Sequence, residues 1–305
     1  MSELLGTYTN GNYKVFLYSD GTKERITEED DFIPEFPETM DVCISTLCEN
    51  NCPMCYANCS SKGQNADFTK YFENGFFDSI HPYTEIAINI NSVIHPGLTS
   101  FLKEMKERNI IVNATINQRD FEKHYDTIKS LIDQKLIWGL GISLTNVTEK
   151  FIKLYKEIPN GVLHIINGIV TPDQIKQLAD KDIKLLILGY KHVGRGVEHY
   201  SNTEEEIKDN QQWLNNNLRL MTKRFVIISF DNLALEQLNV RRLLTKEEWN
   251  LYFMGNDGLF SFYINLVDGT FSRNSLSDIH YPINNKSVTE CFNIVRKEKS
   301  NGEFI

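Results

Sequence analysis

Five of the six cysteines of this chain are crowded into one short segment. They lie within 17 consecutive positions, and the sixth stands apart near the C-terminus: Cys43, Cys48, Cys52, Cys55, Cys59 and Cys291. A disulfide framework would spread its cysteines along a small secreted chain. The crowding therefore indicates a site that binds metal.

Three of these cysteines, Cys48, Cys52 and Cys55, fall within eight residues. Their thiolates can bind three corners of a cubane iron–sulfur cluster, which leaves the fourth iron without a protein ligand. Such an iron is free to bind a substrate or a cofactor, whereas a cluster with four cysteine ligands serves electron transfer. The segment follows the first predicted strand of the main sheet. We therefore expect it on a loop at the carboxyl edge of that sheet, where barrel enzymes build their sites.

A tetrahedral structural zinc ion is the alternative occupant of these thiolates, with Cys43 or Cys59 as the fourth ligand. Zinc sites usually use two separated pairs of cysteines, which this sequence lacks, so the cluster is favoured. Cys43 lies in a predicted buried strand and is interpreted as a core residue, as is Cys291 in its helix. Cys59 is interpreted as a packing or loop thiol, with a substrate or resolving role as the alternative.

A second group of candidate residues follows the sixth predicted strand. Lys191 and Arg195 are cations that suit a carboxylate or another substrate anion, with an ordinary solvated loop as the alternative. Gly194 and Gly196 beside them allow the backbone to approach a ligand closely. After the last strand, Asp231 is either an acid/base group or a helix cap.

The elements that would position these residues follow a regular pattern from Met40 onwards. Seven short apolar runs predict strands: 42–46, 86–90, 110–116, 137–144, 162–170, 183–188 and 225–230. Helical patterns lie between most of them, such as 98–108, 121–135 and a helix that begins at Thr171-Pro172. Strands that alternate with helices pair in parallel through right-handed crossovers. The pattern therefore predicts an α/β fold, a partial (β/α)6-type TIM barrel.

The segments on either side of this pattern differ from it. Residues 1–39 are predicted to form a small β appendage, a hairpin in which 13–18 and 23–26 flank Ser19-Asp20-Gly21. Residues 40–230 are predicted to form the core barrel. After Phe230 the alternation stops, and residues 231–305 are predicted to form an α+β cap on the barrel. A free domain is not expected, because about 75 residues would bury only a small core of their own. Within it we expect helices at 245–252 and 288–297 and a strand at 260–267.

The spacing of Cys48, Cys52 and Cys55, three residues and then two, resembles the signature of the radical S-adenosylmethionine (SAM) superfamily. Members often carry Gly-Gly-Glu-Pro after the second strand, followed by His-Pro, and here residues 89–96 read Asn-Ile-Asn-Ser-Val-Ile-His-Pro. The third strand commonly ends in Thr-Asn-Gly, and here it ends in Thr115-Ile116-Asn117. The fourth commonly ends in a serine, which Ser143 matches. The resemblance covers residues 40–230.

Two positions depart from the family pattern. The position before the third cysteine is usually aromatic and is Met54 here, with Tyr56 just after that cysteine. The acidic residue that contacts the amino group of SAM is replaced by Asn91. The carbonyl oxygen of an asparagine accepts a hydrogen bond from an ammonium group but supplies no counter-charge.

The resemblance implies a definite chemistry. A [4Fe–4S] cluster on the three cysteines would chelate the amine and carboxylate of SAM at its open iron. One electron from a flavodoxin- or ferredoxin-like donor would then break the S–C5′ bond, and the 5′-deoxyadenosyl radical would remove a hydrogen from the substrate. The protein would orient the cofactors and exclude water. The residues expected at the cofactor site are Tyr56, Asn91, Asn117, Ser143, Lys191 and Arg195.

Composition narrows the class of partner. The 305-residue chain has a formal net charge of −9, which disfavours non-specific binding of nucleic acid. No stretch reaches the roughly 18 apolar residues of a membrane span, and no secretory signal is visible, so we expect a cytoplasmic protein.

The favoured substrate is a peptide or protein side chain, received at the mouth of an open barrel. The alternatives are a small molecule or nucleotide held by Lys191 and Arg195, and a non-catalytic, zinc-stabilised binding module.

Overall fold

The computed structural model describes residues 2–298. The strands are β1 (Leu4–Asn10), β2 (Tyr13–Tyr18), β3 (Lys23–Ile26), β4 (Thr39–Cys43), β5 (Glu85–Ile90), β6 (Ile111–Asn117), β7 (Gly139–Ser143), β8 (Gly161–Ile166), β9 (Lys184–Leu188), β10 (Ile227–Phe230), β11 (Ser261–Asn265), β12 (Thr270–Ser272) and β13 (Tyr281–Pro282). The α-helices are α1 (Phe68–Glu73), α2 (Leu98–Glu107), α3 (Gln118–Lys123), α4 (Tyr125–Asp133), α5 (Glu149–Lys156), α6 (Pro172–Leu178), α7 (Arg195–Met221), α8 (Asn232–Gln237), α9 (Lys246–Tyr252) and α10 (Val288–Arg296). Short 3₁₀ helices span Phe77–Ser79 and Val240–Leu243.

The predicted alternation of strands and helices is confirmed, since each predicted strand between residues 42 and 230 overlaps one of β4 to β10. The helix predicted at Thr171-Pro172 is α6, and Thr171 forms a capping box with Gln174. The single helix predicted over 121–135 is wrong. It is interrupted at His124, whose backbone (φ −112°, ψ 23°) leaves the helical region and separates α3 from α4. None of the helices in the described part of the chain is long and apolar enough to cross a membrane.

The main sheet has ten strands in the order β10-β9-β8-β7-β6-β5-β4-β11-β12-β13. From β4 to β10 each strand pairs in parallel with the next one along the chain. β11 pairs in parallel with the other side of β4, and antiparallel β12 and β13 follow. The carboxyl ends of eight parallel strands therefore meet at one edge of the sheet. Residues after Phe230 extend this sheet, so the predicted cap is not confirmed.

The two faces of the main sheet differ in chemistry. On β4, the buried side chains of Met40 and Val42 alternate with the more accessible Asp41 and Cys43, and β5, β6 and β8 alternate in the same way. The buried side chains join those of the helices in one large apolar core. The other side we call the polar face, and it comprises Asp41, Cys43, Asn89, Asn113, Thr115, Ser143, His164, Ser229 and Tyr263. Because polar side chains there are accessible, this face can bind a polar ligand.

The N-terminal residues form a separate antiparallel sheet in the order β1-β2-β3. The predicted hairpin is confirmed as β2 and β3, with Gly21 at φ +88° in the turn. β1 was not predicted, because only Tyr8 and Asn10 of its seven residues are buried and the alternation is weak.

This small sheet packs against the amino ends of the parallel strands, at the edge opposite the cysteine segment. Lys23 of β3 binds Glu85 at 2.5 Å and lies 3.7 Å from Glu38, and all three side chains are largely buried. The indole Nε1 of Trp138, just before β7, donates to the carbonyl of Ser19 in the hairpin turn at 3.1 Å. The N-terminal sheet therefore covers the amino edge and leaves the carboxyl edge to the cysteines.

Candidate active site

Four of the six cysteines, Cys48, Cys52, Cys55 and Cys59, lie on a loop, residues 44–67, that connects β4 to α1 at the carboxyl edge of the main sheet. Near its base, Thr46 N–H donates to the carbonyl of Gln64 at 2.8 Å. Gly63 is required here, because a Cβ at this position would lie 2.0 Å from the carbonyl oxygen of Thr46. The base of the loop is thus held by its own backbone, and we refer to residues 44–67 as the cysteine loop.

Cys48, Cys52 and Cys55 are free, half-buried thiols on this loop. Ser92 Oγ donates to Cys48 Sγ at 3.6 Å, and Cys55 N–H donates to the carbonyl of Cys52 at 3.2 Å. Burial raises the pKa of Cys52, and the neighbouring thiols of Cys55 and Cys48 raise it further. Three free thiols grouped on one loop fit a cubane cluster that is bound at three corners.

Cys59 is buried beside Cys55 and supports it. The Cys59 thiol donates a hydrogen bond to the Cys55 sulfur, which is the largest cause of the lowered pKa of Cys55, about 6. The N–H groups of Cys59 and Ala57 and the charge of Arg195 act in the same direction, and the pKa of Cys59 is correspondingly raised. The lowered pKa of Cys55 favours its thiolate, the form that binds metal.

The two candidate occupants of the thiols, a zinc ion and a cubane cluster, require different spacings of the sulfur atoms. Within residues 2–298, no group of three or more His, Cys, Asp or Glu side chains converges as the ligands of one metal ion would. A tetrahedral zinc ion with Zn–S bonds of about 2.3 Å requires sulfur atoms only about 4 Å apart. A cubane binds each cysteine through a different iron, so its thiolates stand farther apart.

Arg195, the first residue of α7, binds the cysteine loop. Its backbone N–H donates to the carbonyl of Cys55 at 3.1 Å. Its side chain donates from Nε to the carbonyl of Cys52 and from Nη1 to the carbonyl of Cys59, each at 3.0 Å. The sequence suggested an anion-binding cation at this position, whereas the structure shows a guanidinium bonded to loop carbonyls.

Lys191 and Tyr56, both expected at the cofactor site, lie in contact. The Lys191 ammonium is 3.9 Å from the centroid of the Tyr56 ring and donates to Ser275 Oγ at 2.9 Å. Burial lowers the pKa of Lys191, while the carboxylates of Asp231 and Asp41 oppose this effect. The predicted anion-binding lysine is thus a largely enclosed cation beside the cysteine loop.

Asn91 is bonded to the start of the cysteine loop. Its Nδ2 donates to the carbonyl of Ser45 at 2.9 Å, and its Oδ1 accepts from Asn89 Nδ2 at 3.1 Å. An amide oxygen has two lone pairs, so one remains for a ligand. Asn89, which the sequence analysis did not single out, also fixes the loop: its Nδ2 donates to Ser45 and its Oδ1 accepts from Ile44 N–H. The sequence offered one signal for this role of Asn89, namely a polar residue inside the otherwise apolar predicted strand 86–90.

Asn117 and Ser143 are paired in register at the ends of β6 and β7. Asn117 caps α3, with Oδ1 accepting from Arg119 N–H at 2.9 Å, so this amide is partly engaged. Ser143 is half-buried, and its hydroxyl has no hydrogen-bond partner in the part of the chain described. Of the two predicted residues, Ser143 is the more available to a ligand.

His164 is a polar-face residue that the sequence analysis missed, and it is paired in register with Ser143. Its ring lies over Gly141, where a Cβ would lie 2.2 Å from Cε1 and 2.3 Å from Nε2. Burial lowers the pKa of His164 to about 4, so the imidazole is neutral at pH 7. A single histidine within the apolar run 162–170 was the only sign in the sequence.

Two aspartates complete this side of the site. Asp231 caps α8, since its Oδ1 accepts from Ala234 N–H and Gly189 N–H at 2.8 and 2.9 Å, which agrees with the capping interpretation of this residue. Asp41 lies on the polar face and is paired in register with Tyr263.

Comparison with known proteins gives a structural match without a sequence match. No family model matches the sequence, and no curated protein matches it. The fold is similar to that of SuiB from Streptococcus suis. The crystal structure of SuiB bound to the precursor peptide SuiA aligns with a TM-score of 0.55 and 14% identity, over 88% of this chain and 69% of that chain. The structure bound to SAM aligns with a TM-score of 0.55 and 12% identity, over 88% and 70%. The shared property at this level of identity is the fold, a mixed α/β architecture with a large parallel sheet.

Proposed function

We propose that this chain is a radical SAM enzyme that binds a [4Fe–4S] cluster through Cys48, Cys52 and Cys55. The observation that carries the proposal is the position of these three free thiols on the first loop at the carboxyl edge of a consecutively ordered parallel sheet. That strand order is also the order of a (β/α) barrel, so we propose the predicted partial barrel, with residues 231–298 as a continuation of its sheet. The similarity of the fold to SuiB bound to SAM supports the assignment.

When bound, the cluster and SAM supply reductive cleavage of the cofactor and abstraction of a substrate hydrogen. The residues of the chain hold and orient these groups. Ser143 offers an unengaged hydroxyl, and Asn91 offers the remaining lone pair of its carbonyl to the amino group of SAM. Tyr56, packed against Lys191, covers the site next to the last ligand cysteine. A flavodoxin- or ferredoxin-like protein is the proposed electron donor.

The proposed substrate is a peptide or protein side chain. Support comes from the fold shared with SuiB, which was crystallised with a precursor peptide, and from the accessible polar face beside the cysteine loop. A nucleotide or other small anion is the second candidate, favoured by the enclosed ammonium of Lys191. Pools of synthetic peptides and of nucleotides can be compared directly. The true substrate class should raise the rate of 5′-deoxyadenosine release above the rate without substrate.

The proposal is tested by removing one ligand. Anaerobically reconstituted protein should be brown and hold about four irons and four sulfides per chain, and with dithionite and SAM it should release 5′-deoxyadenosine. Cys52→Ala should lose both the cluster and the release. Cys291→Ala is the matched control, because Cys291 is fully buried in α10, away from the cysteine loop. A colourless wild-type protein with one zinc per chain would instead support the zinc-stabilised module.

A further inference from the structure

Arg195 joins two segments that are far apart in the sequence. Its guanidinium reaches the carbonyls of Cys52 and Cys59, which precede it by 143 and 136 positions, and its backbone N–H reaches that of Cys55. Two of these three carbonyls belong to residues proposed to bind the cluster. The bonds therefore act on the backbone that sets where the ligand sulfurs lie.

The backbone around Arg195 is shaped for this close approach. Gly194 has φ +57°, and a Cβ there would lie 2.3 Å from the carbonyl oxygen of Tyr56. At Gly196 a Cβ would lie 2.3 Å from the carbonyl oxygen of Lys191. A side chain at Gly194 would push this segment away from the cysteine loop, and one at Gly196 would disrupt the turn between Lys191 and α7. The chain thus brings one cation against the loop with no side chain between them.

We infer that Arg195 is a positioning residue that holds the cysteine loop in its cluster-binding shape and places a fixed positive charge beside the cluster. The inference rests on the proposed function. It has two separable consequences, one of geometry and one of charge.

The geometric consequence follows from the shape of the guanidinium. Its planar fork donates from two nitrogens to two carbonyls at fixed positions, which a lysine ammonium on a flexible stem does not reproduce. The charge consequence follows from the redox chemistry. Reduction adds negative charge to the cluster, so a nearby cation stabilises the reduced form and raises its reduction potential.

Substitution of Arg195 separates the two effects. Arg195→Gln removes the charge and the fork, Arg195→Lys keeps the charge alone, and Gly194→Ala keeps the arginine but displaces its segment. Arg219→Gln is the matched control, since Arg219 lies exposed near the other end of the same helix. Each variant is reconstituted anaerobically. The measurements are iron per chain, the rate of iron loss to a chelator, and the midpoint potential from the electron paramagnetic resonance of the reduced cluster.

We expect Arg195→Gln to lose iron at least about threefold faster than wild type and to have a more negative midpoint potential. Arg195→Lys should restore the potential but not the retention of iron. Gly194→Ala should lose iron faster as well, with its arginine intact. The inference is overturned if Arg195→Gln keeps the wild-type potential and rate of iron loss.

Amide hydrogen exchange in the iron-free proteins distinguishes this inference from the proposed function. In the iron-free state, the backbone amides of residues 52–59 should exchange faster in Arg195→Gln than in wild type. This comparison does not require that either protein can bind iron. A wild-type protein that takes up no iron would refute the proposed function. A wild-type protein that holds the cluster, with no change in Arg195→Gln by any of these measures, would refute only the positioning role.

Discussion

The imidazole of His164 stands over the bare backbone of Gly141, in the same register row as Ser143. It has no hydrogen-bond partner within residues 2–298, and burial disfavours its charged form. A neutral ring with two free nitrogens on the polar face is available to a ligand as donor or acceptor. Its burial also has a consequence for stability that does not depend on any ligand.

The pH dependence of stability should reveal His164. Its pKa is about 4 in the folded chain and about 6.5 when unfolded, so the unfolded state binds more protons between these values. The contribution of the neutral His164 ring to the free energy of unfolding is therefore complete above pH 6.5 and is lost as the pH falls towards 4. We expect the stability advantage of wild type over His164→Gln to shrink by about 1 to 2 kcal/mol between pH 7 and pH 5.

Urea unfolding at each pH measures this difference. His280→Gln, the same substitution at an exposed position, is the control. A pH-independent difference for His164→Gln would contradict the depressed pKa.

At this scale the sequence predicts ligands for the proposed cluster but not the residues that support them. The spacing of Cys48, Cys52 and Cys55 is itself the chemical signal on which that proposal depends. The hydrogen bond from Arg195 to the carbonyl of Cys52 was not predictable. These residues are 143 positions apart, and whether they meet depends on where the strands place each of them. The position of His164 likewise follows from strand register, which no local pattern encodes.

Among the elements, the N-terminal sheet is attached to the main sheet by buried charge. Glu38 is almost completely buried just before β4, where it accepts from Arg25 Nε at 2.8 Å and from the Tyr13 hydroxyl at 2.6 Å. The hairpin was predictable from its alternation and its Asp-Gly turn. The position at which the hairpin packs on the main sheet was not predictable, because Lys23 and Arg25 resemble ordinary surface cations in a short strand.

Removal of Glu38 should therefore be costly. Glu38→Ala leaves the buried Arg25 without its carboxylate, and we expect a loss of about 3 to 5 kcal/mol in the free energy of unfolding. Arg25→Ala combined with Glu38→Ala should cost clearly less than the sum of the single variants. Chemical denaturation gives all the values needed.

An exposed pair is the comparison for this prediction. Glu204 binds Lys208 at 2.6 Å on α7, and both side chains are solvent-accessible, so Glu204→Ala should leave the free energy of unfolding nearly unchanged. Additive effects at Arg25 and Glu38 would show that the two charges do not support one another.

At the scale of the whole molecule, the main sheet contains strands from both of the segments predicted as core and cap, 40–230 and 231–305. The alternation of strands and helices ends after Phe230, and that local change predicted a C-terminal cap on the barrel. The structure places β11 beside β4, the strand that leads into the cysteine loop, and Leu266 N–H donates to the carbonyl of Cys43 at 3.0 Å. Pattern reveals that 260–267 is a strand, but its partner is decided by the assembled core.

A chain built this way should unfold as one unit. Phe292 of α10 is fully buried, its ring centroid lies 5.9 Å from that of Phe262 on β11, and α10 begins with Val288 N–H bonded to Ser79 Oγ. Phe292→Ala should cost about 3 to 5 kcal/mol, because it removes a large side chain from a packed core. If β11 and α10 belong to the main core, this loss lowers the midpoint of the whole chain.

Circular dichroism, tryptophan fluorescence and amide exchange at β6 should then report one transition, shifted together in Phe292→Ala. Leu251→Ala on α9, where the side chain is 71% exposed, should leave the midpoint nearly unchanged. A variant in which only residues after 230 lose protection, while β6 keeps its wild-type exchange, would show that these residues unfold independently of the main core. Because β11 borders β4, a single shared transition would also mean that the cysteine loop depends on the C-terminal segment for its support.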